Sequence, residues 1–423
     1  MCRAMQQVTI TPSAVEGTVR ANPSKSHAQR AIALGALASG ETILHHPGMS
    51  DDVRAAQEVA RAFCNGVERF DDCVVIAGGR RLNNRTWHCG ESGFSLRMYT
   101  AIAGLFDTPV TLTGQGSLAV RPVDFMADPI RALGGHFTST AGHLPVTVNG
   151  PLVSGHAEVD GSISSQFLSG LLMTLPLLAG DSELTVHDLQ SKPYIDLTLS
   201  AMARFGVQVT HTDYRKFKIR GDQTYQPVQM HVEGDWSGMA FFVVMGLIAG
   251  RVTVTGLDPA STQADRMILE AAGAAGGRVE IQNGTLSCIQ SHLEAIEMDI
   301  SHAPDLFPPL AALCTHCRGT SVLHGVARLT HKESDRFTTL RDEFARLGIG
   351  IWKEGDAMMI KGGQPSGGDV QAHGDHRIAM ALATAALRAS APVTINGAEC
   401  VHKSYPRFFE DLVDIGGGVK RMA

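Results

Sequence analysis

From Ala28 the chain places small and apolar residues at helical spacing, Ala31, Leu34, Leu37 and Ala38, until Gly40 stops the run. The same order of an Ala/Leu-rich helix, a short turn and a β-rich segment returns as AGLFDTPVTLTG, LLAGDSELTV, LIAGRVTVTG, CTHCRGTSVLHG and ALRASAPVTING. Its turn residues, Gly40, Thr108, Gly180, Gly250, Gly319 and Ala391, step by 68, 72, 70, 69 and 72. A second helix in each unit is predicted to end at a glycine before another strand. Those glycines, at 66, 134, 206, 276, 348 and 416, step by 68, 72, 70, 72 and 68.

Two markers that keep one period describe six copies of a unit of about 70 residues, each with two helices and several strands. Such a unit exceeds the common solenoid repeats, so six α/β units divided between two domains suit the length better. The sixth copy stops soon after its second helix and lacks its closing strands. The orphan segment MQQVTITPSAV near the start is expected to supply one of them. That would put the amino terminus in the carboxy-terminal domain. The boundaries then fall at 1–20 plus 233–423 for one domain and 21–232 for the other, with crossings near 16–22 and 230–235.

Composition narrows the class. Apolar residues are 44% and charged residues 18%, as in a globular chain, and the net charge of −6 argues against a nucleic-acid surface. The eight Cys show no secreted-framework spacing, and MCRAMQQVTITPS has no apolar signal stretch. The longest apolar run, FLSGLLMTLPLLAG, is short for a membrane span. A soluble, cytoplasmic chain with no membrane or nucleic-acid partner is expected.

Polar phrases interrupt the repeat where packing does not need them. They are PSKSHAQR (23–30), GESGFSLR (90–97) with SLAVRP (117–122), and DGSISSQF (160–167) with SKPYID (191–196). The later copies carry APDLF (303–307), HKESDR (331–336), and GDHR (374–377) with VHKSYP (401–406). Together they hold Lys25, Arg30, Arg97, Arg121, Lys332, Arg336, Arg377 and Lys403, with hydroxyls at Ser26, Ser164, Ser165 and Ser191. Gln166, Asp305 and Glu333 complete the set. Arg forks bind phosphate and carboxylate bidentately, Lys acts as a point charge, and helix N-termini favour anions. Two acids among many cations suit proton transfer on small, multiply anionic molecules. GQGSLA (114–119) offers only a lone GxGxxA with no helix clearly following. Cys314 and Cys317 read as buried thiols rather than zinc ligands, and His373 and His376 as structural.

Taken together, PSKSxxxR, DGSxSSQF, SKPYID, the Asp of PD, KESDR, DHR and HKSYP resemble the 5-enolpyruvylshikimate-3-phosphate synthase family over essentially the whole chain. The resemblance implies an enolpyruvyl-transferase fold, with three βαβαββ-type units per domain as an inside-out α/β barrel and the active site in the cleft between the domains. It implies transfer of the enolpyruvyl group of phosphoenolpyruvate to the 5-hydroxyl of shikimate 3-phosphate, by a monomer with no metal or organic cofactor. Carried over by motif, Lys25, Ser26, Arg30, Ser164, Ser165, Gln166, Ser191, Tyr194, Asp305 and Lys332 would hold shikimate 3-phosphate, with Arg30 on its carboxylate. Lys25, Gly93, Arg121, Gln166, Arg336, Arg377 and Lys403 would surround phosphoenolpyruvate. Asp305 would take the 5-hydroxyl proton and Glu333 would serve the methylene carbon, with Lys25 alongside them.

The chain departs from that pattern at Glu91, where many members have Asn, at Arg328, where some use Asn, and at Ala119-Val120, where some place Lys-Glu. Glyphosate, which inhibits this family at the phosphoenolpyruvate site, depends on Gly93. Phe94 and Met98 stand here for the Thr and Pro of common sensitive sequences and are expected to press on that glycine. Two rivals remain. The sister enzyme acting on UDP-N-acetylglucosamine opens with Lys-Asn and carries a reactive Cys where this chain has Gly116. A repeat-built anion sensor without chemistry would have no use for Asp305 and Glu333.

Overall fold

The computed structural model describes residues 7–422 except Asn283 and His331, the first residue of the HKESDR phrase. These residues divide into two compact units, one formed by the amino-terminal segment to Asn22 with Glu233 onward and the other by Pro23–Val232. Ala21 and Asn22 fall with the first unit, two residues beyond the boundary drawn from the sequence. Ala21 N donates to Thr255 O and Asn22 O accepts from Asp235 N, which ties both to that unit.

Each repeat yields one four-stranded sheet, three sheets in each unit. In the Pro23–Val232 unit the second repeat shows the plan. Thr86–His88 runs parallel to Val110–Thr113, which pairs antiparallel with His143–Asn149, and His136–Thr140 closes the hairpin. The first repeat borrows its parallel strand from far along the chain, because Gln229–His231 pairs with Glu41–His45.

The other unit borrows in the same way from the amino terminus. Gln7–Thr11 runs antiparallel between Val393–Asn396 and Gly418–Met422 and completes the sixth sheet. Val15–Arg20 then runs parallel to Gly250–Thr255 and completes the fourth. The orphan segment therefore supplies two strands, one more than its sequence suggested.

One helix of each repeat is buried along most of its length: Lys25–Leu37, Gly93–Ala103 and Ser165–Thr174 in one unit. Trp236–Ala249, Phe307–Thr315 and His376–Ala386 play that part in the other. These six, rich in small and apolar residues, form the interiors, and the amphipathic second helices cover them. Packing between them is close: a Cβ on Gly170 would stand 2.6 Å from Met98 O.

Of the second-helix glycines, Gly134, Gly206, Gly276, Gly348 and Gly416 take positive φ, as a helix-ending residue should. Gly66 does not; it opens the strand Gly66–Arg69 instead. Gly116–Val120 is a single 3₁₀ turn, so GQGSLA does not open a dinucleotide-binding helix. Among the described residues no helix is long and apolar enough to cross a membrane.

Because Ile10 is fully buried in the borrowed central strand, Ile10→Ala should destabilise its unit by about 2–5 kcal/mol. Urea unfolding followed by a probe in that unit measures this. An unchanged midpoint would mean that the borrowed strand adds little.

Candidate active site

Five of the polar phrases lead into inner helices, and SKPYID and HKESDR into the second helices Lys192–Arg204 and Arg336–Arg346; at such starts unsatisfied amides and the helix dipole favour anions. In the Pro23–Val232 unit, Ser24 Oγ accepts from His27 N at 3.3 Å, Ser92 Oγ from Ser95 N at 3.2 Å and Ser164 Oγ from Gln166 N at 3.2 Å. Lys25 Nζ lies 3.0 Å from Asp52 Oδ2, in the first turn of the amphipathic helix Asp51–Arg61. Gln29 Nε2 donates to Ser92 Oγ at 2.7 Å and Ser95 Oγ at 2.9 Å, fastening the start of the second inner helix to the first.

Arg30 is 1% exposed. Its Nε donates to Thr198 Oγ1 at 2.8 Å, Nη1 to Ser26 O at 2.8 Å and Nη2 to Tyr194 O at 3.1 Å. These bonds use three of its five N–H groups. Burial pushes it down to about 9, so it stays a cation at neutral pH. The Phe94 ring lies 4.3 Å beneath its guanidinium carbon, a cation–π contact that the sequence reading, which set Phe94 against Gly93, did not foresee.

Gly93 opens its helix beside two guanidinium groups. A Cβ there would stand 2.7 Å from Arg121 Nη1 and 3.1 Å from Arg97 Nη1. Arg97 Nη1 also donates to Gln166 Oε1 at 2.7 Å, which leaves the Gln166 amide NH₂ as its donor. Ser164, Ser165 and Ser191 are buried. Ser191 sits in the left-handed region (φ 56°, ψ 44°), uncommon for a residue with a Cβ, and its hydroxyl does not cap its own helix. Beside Gly116 the space belongs to Glu91: a Cβ on Gly116 would stand 2.4 Å from Glu91 Oε1. The sister enzyme's Cys would not fit there without moving Glu91.

The other unit gathers charge around Arg336, the first residue of its helix and 1% exposed. Nη1 meets Asp305 Oδ1 at 2.8 Å, Nη2 meets Glu333 Oε2 at 2.6 Å and Nε meets Asp375 Oδ2 at 2.8 Å. Arg377 Nη2 reaches Asp305 Oδ2 at 3.0 Å and Lys332 Nζ reaches Asp305 Oδ1 at 3.4 Å. Burial would raise the Asp305 carboxyl, but Arg377, Lys332 and Arg336 outweigh it and hold Asp305 well below the usual carboxylate range. Burial likewise pulls Lys332 down, against the attraction of Asp305. Arg328 is lowered by burial too, and Asp305 works against that shift, so this departure from the pattern stands in the same field. Asp375 caps the inner helix His376–Ala386 through Arg377 N. Lys403, also buried, ends the 3₁₀ turn Ala398–Lys403.

Lys25, Ser26, Arg30, Gly93, Arg121, Ser164, Ser165, Gln166, Ser191 and Tyr194 lie in the Pro23–Val232 unit, and Asp305, Lys332, Glu333, Arg336, Arg377 and Lys403 in the other. The sequence reading missed Asp52, Thr198 and Asp375, the buried partners of Lys25, Arg30 and Arg336. Ser50-Asp51-Asp52 carries a helix-start signal, yet nothing in it separates a buried partner from an acid favoured by the dipole. Cys314 and Cys317 are both buried, and His373 Nε2 lies 2.8 Å from Glu343 Oε1. Among the described residues no three His, Cys, Asp or Glu side chains are grouped to hold a metal.

Residues 10–412 match the family model of EPSP synthase (3-phosphoshikimate 1-carboxyvinyltransferase). A 3-phosphoshikimate 1-carboxyvinyltransferase of Clostridium kluyveri is 38% identical over 98% of this chain and 98% of its own. One from Aeropyrum pernix is 39% identical over 99% and 97%. Among solved structures, an EPSP synthase from Acinetobacter baumannii superposes with a TM-score of 0.83 at 27% identity, covering 99% of this chain and 100% of its own. An enolpyruvyl transferase from Streptomyces tendae, at 16% identity and a TM-score of 0.80 over 99% of both chains, shares the fold.

Removing one member of a buried ion pair strands the other. Asp375→Ala should therefore cost about 3–5 kcal/mol of stability, read as a lowered midpoint in denaturant. A loss within about 0.5 kcal/mol, the range of an ordinary surface substitution, would show that Arg336 does not depend on Asp375.

Proposed function

The chain belongs to the EPSP synthase family, and from that premise we propose how its two half-sites carry out the family's reaction. As a 3-phosphoshikimate 1-carboxyvinyltransferase, the protein moves the enolpyruvyl group of phosphoenolpyruvate to the 5-hydroxyl of shikimate 3-phosphate, releasing phosphate on the way to aromatic amino acids. The observation that carries the residue assignments is that Asp305 and Glu333 share one buried guanidinium, at 2.8 and 2.6 Å. Two acids held on one cation are placed to act on neighbouring atoms of the same reaction.

In this reading both half-sites serve one pair of substrates. The hydroxyls of Ser164, Ser165 and Ser191, with the amides at the helix starts, receive the phosphate of shikimate 3-phosphate; Ser26 and Tyr194 flank it. Arg30 offers its remaining N–H groups to the carboxylate. Lys25, Gly93, Arg121, Gln166, Arg336, Arg377 and Lys403 surround phosphoenolpyruvate. Arg377 and Lys332 turn from Asp305 toward the anionic ligands, and Asp305 recovers proton affinity as they leave.

Asp305 then takes the 5-hydroxyl proton while that oxygen attacks C2 of phosphoenolpyruvate. Glu333 protonates the methylene carbon, giving a tetrahedral intermediate with a methyl group. Glu333 removes a proton from that methyl and returns to its acid form, the bond from C2 to the phosphate oxygen breaks, and phosphate leaves with the proton that Asp305 had taken. The cations stabilise charge on the phosphate as it develops. Each step moves a proton or a C–O bond, so the mechanism calls on no metal or redox cofactor. In this reading the protein works as a monomer in the cytoplasm.

Asp305→Asn and Glu333→Gln should each bind both substrates yet lose turnover by about 10²–10⁴-fold, as steady-state kinetics beside calorimetric binding would show. Near-normal turnover in either variant would remove that residue from its role. Gly93→Ala, whose Cβ would stand 2.7 Å from Arg121 Nη1, should raise the KM for phosphoenolpyruvate more than that for shikimate 3-phosphate. An equal rise in both would contradict the placing of Gly93.

A further inference from the structure

The ion pairs around Arg336 balance three cations, Lys332, Arg336 and Arg377, against three carboxylates, Asp305, Glu333 and Asp375. A fourth acid lies close by. Asp265, in the 3₁₀ turn Ala264–Met267, is 3% exposed and stands in the field of Asp305 and Arg377. It makes no ion pair among the described residues, and its Oδ1 has no hydrogen-bond partner. The Ser237 hydroxyl, 7% exposed in the first turn of Trp236–Ala249, is near enough to favour its charged form, yet neither Ser237 Oγ nor Asp265 Oδ1 reaches a hydrogen bond of good geometry. Burying a carboxyl this poorly served costs stability, and such a cost is most often met where a site needs the charge.

We infer that Asp265 is a further positioning residue of this half-site: its carboxylate keeps Arg377 from neutralising Asp305 completely, and so leaves Asp305 able to accept a proton. The inference rests on Asp305 being the base. A base clasped by three cations is a weak one, because every cation that steadies its charge also lowers its proton affinity. A buried negative charge in the field of Arg377 and Asp305, added to that of Glu333, offsets part of that effect.

Asp235 and Ser237 face Asp265 from the start of Trp236–Ala249, Asp305 from the turn before Phe307–Thr315, and Arg377 from the start of His376–Ala386. Arg266 on its own turn and Glu270 on the next helix are exposed. Burial first, then the charge of Asp305, pushes Asp265 up to about 6. It is thus mostly ionised at neutral pH. A carboxyl raised in the folded state favours folding while protonated and loses that contribution as pH climbs through the folded value.

The test is Asp265→Asn, which deletes the charge at constant shape, with the smaller Asp265→Ser as a second charge deletion. With Asp305 made a weaker base, kcat near pH 7.5 should fall, by up to about tenfold for each unit by which Asp305 drops. The acid limb of the kcat–pH profile should move to lower pH. The KM for phosphoenolpyruvate should hold or fall, since one repulsive charge is gone. Tm should rise above the parent's at pH 8, with most of that gain gone below about pH 5. Unchanged kcat and pH profile in both variants, or a lower Tm with KM raised along with reduced kcat, overturns the inference. Asp305→Asn run in parallel separates the two readings. If it keeps turnover, the base assignment fails and this inference with it; if it is inactive while the Asp265 variants match the parent, only this inference fails.

Discussion

A guanidinium almost closed off from solvent stays charged at tolerable cost only if carboxylates meet it, and Arg336 meets three. They come from separate stretches of chain. Asp305 precedes the inner helix Phe307–Thr315, Glu333 precedes the helix that Arg336 opens, and Asp375 caps the inner helix His376–Ala386. One side chain therefore fixes the relative positions of two repeats and of both acids assigned to the chemistry. Arg377 and Lys332 are anchored to the same cluster through Asp305. The Pro23–Val232 unit has a milder version, in which Gln29 ties two inner-helix starts together and Arg30 is threaded between Thr198, Ser26, Tyr194 and Phe94.

The repeat architecture explains why these clusters form where they do. The six inner helices are buried along most of their length, and a buried helix still presents unsatisfied amides at its N-terminus. Ser24, Ser92, Ser164, Asp235 and Asp375 cap five of the six inner starts with side-chain oxygens. Cations placed next to those ends compound a preference for anions that the backbone already has. The same arrangement leaves Asp305 over-stabilised as an anion in the free protein, which suits a base that anionic substrates relieve of its cations when they bind.

Much of this was legible because it recurs. Six glycine-marked periods gave the units, and the missing strands of the last copy pointed to the amino-terminal segment. That segment serves a second sheet as well, since Val15–Arg20 pairs with Gly250–Thr255. Nothing local announces a strand partner more than two hundred residues away. Gly66 looked like its five counterparts but opens a strand, because a glycine after a helix carries no sign of its φ. The cations and acids of the polar phrases were readable as residue types with a job. Their partners were not: Asp52, Thr198 and Asp265 are ordinary helix or turn residues in sequence, and only the packing of other elements buries them beside a charge. Phe94 shows the same limit, for its contact with Arg30 depends on how two inner helices meet.

The central claim is that these charged helix starts are the working parts of an enolpyruvyl transfer in which both substrates are required for the bond to phosphate to break. Phosphate release measured with phosphoenolpyruvate and shikimate 3-phosphate together, and with each alone, addresses it directly. The account predicts multiple turnovers with the pair and none with either substrate by itself. Phosphate released from phosphoenolpyruvate at the same rate without shikimate 3-phosphate, or none released with both present, would contradict it.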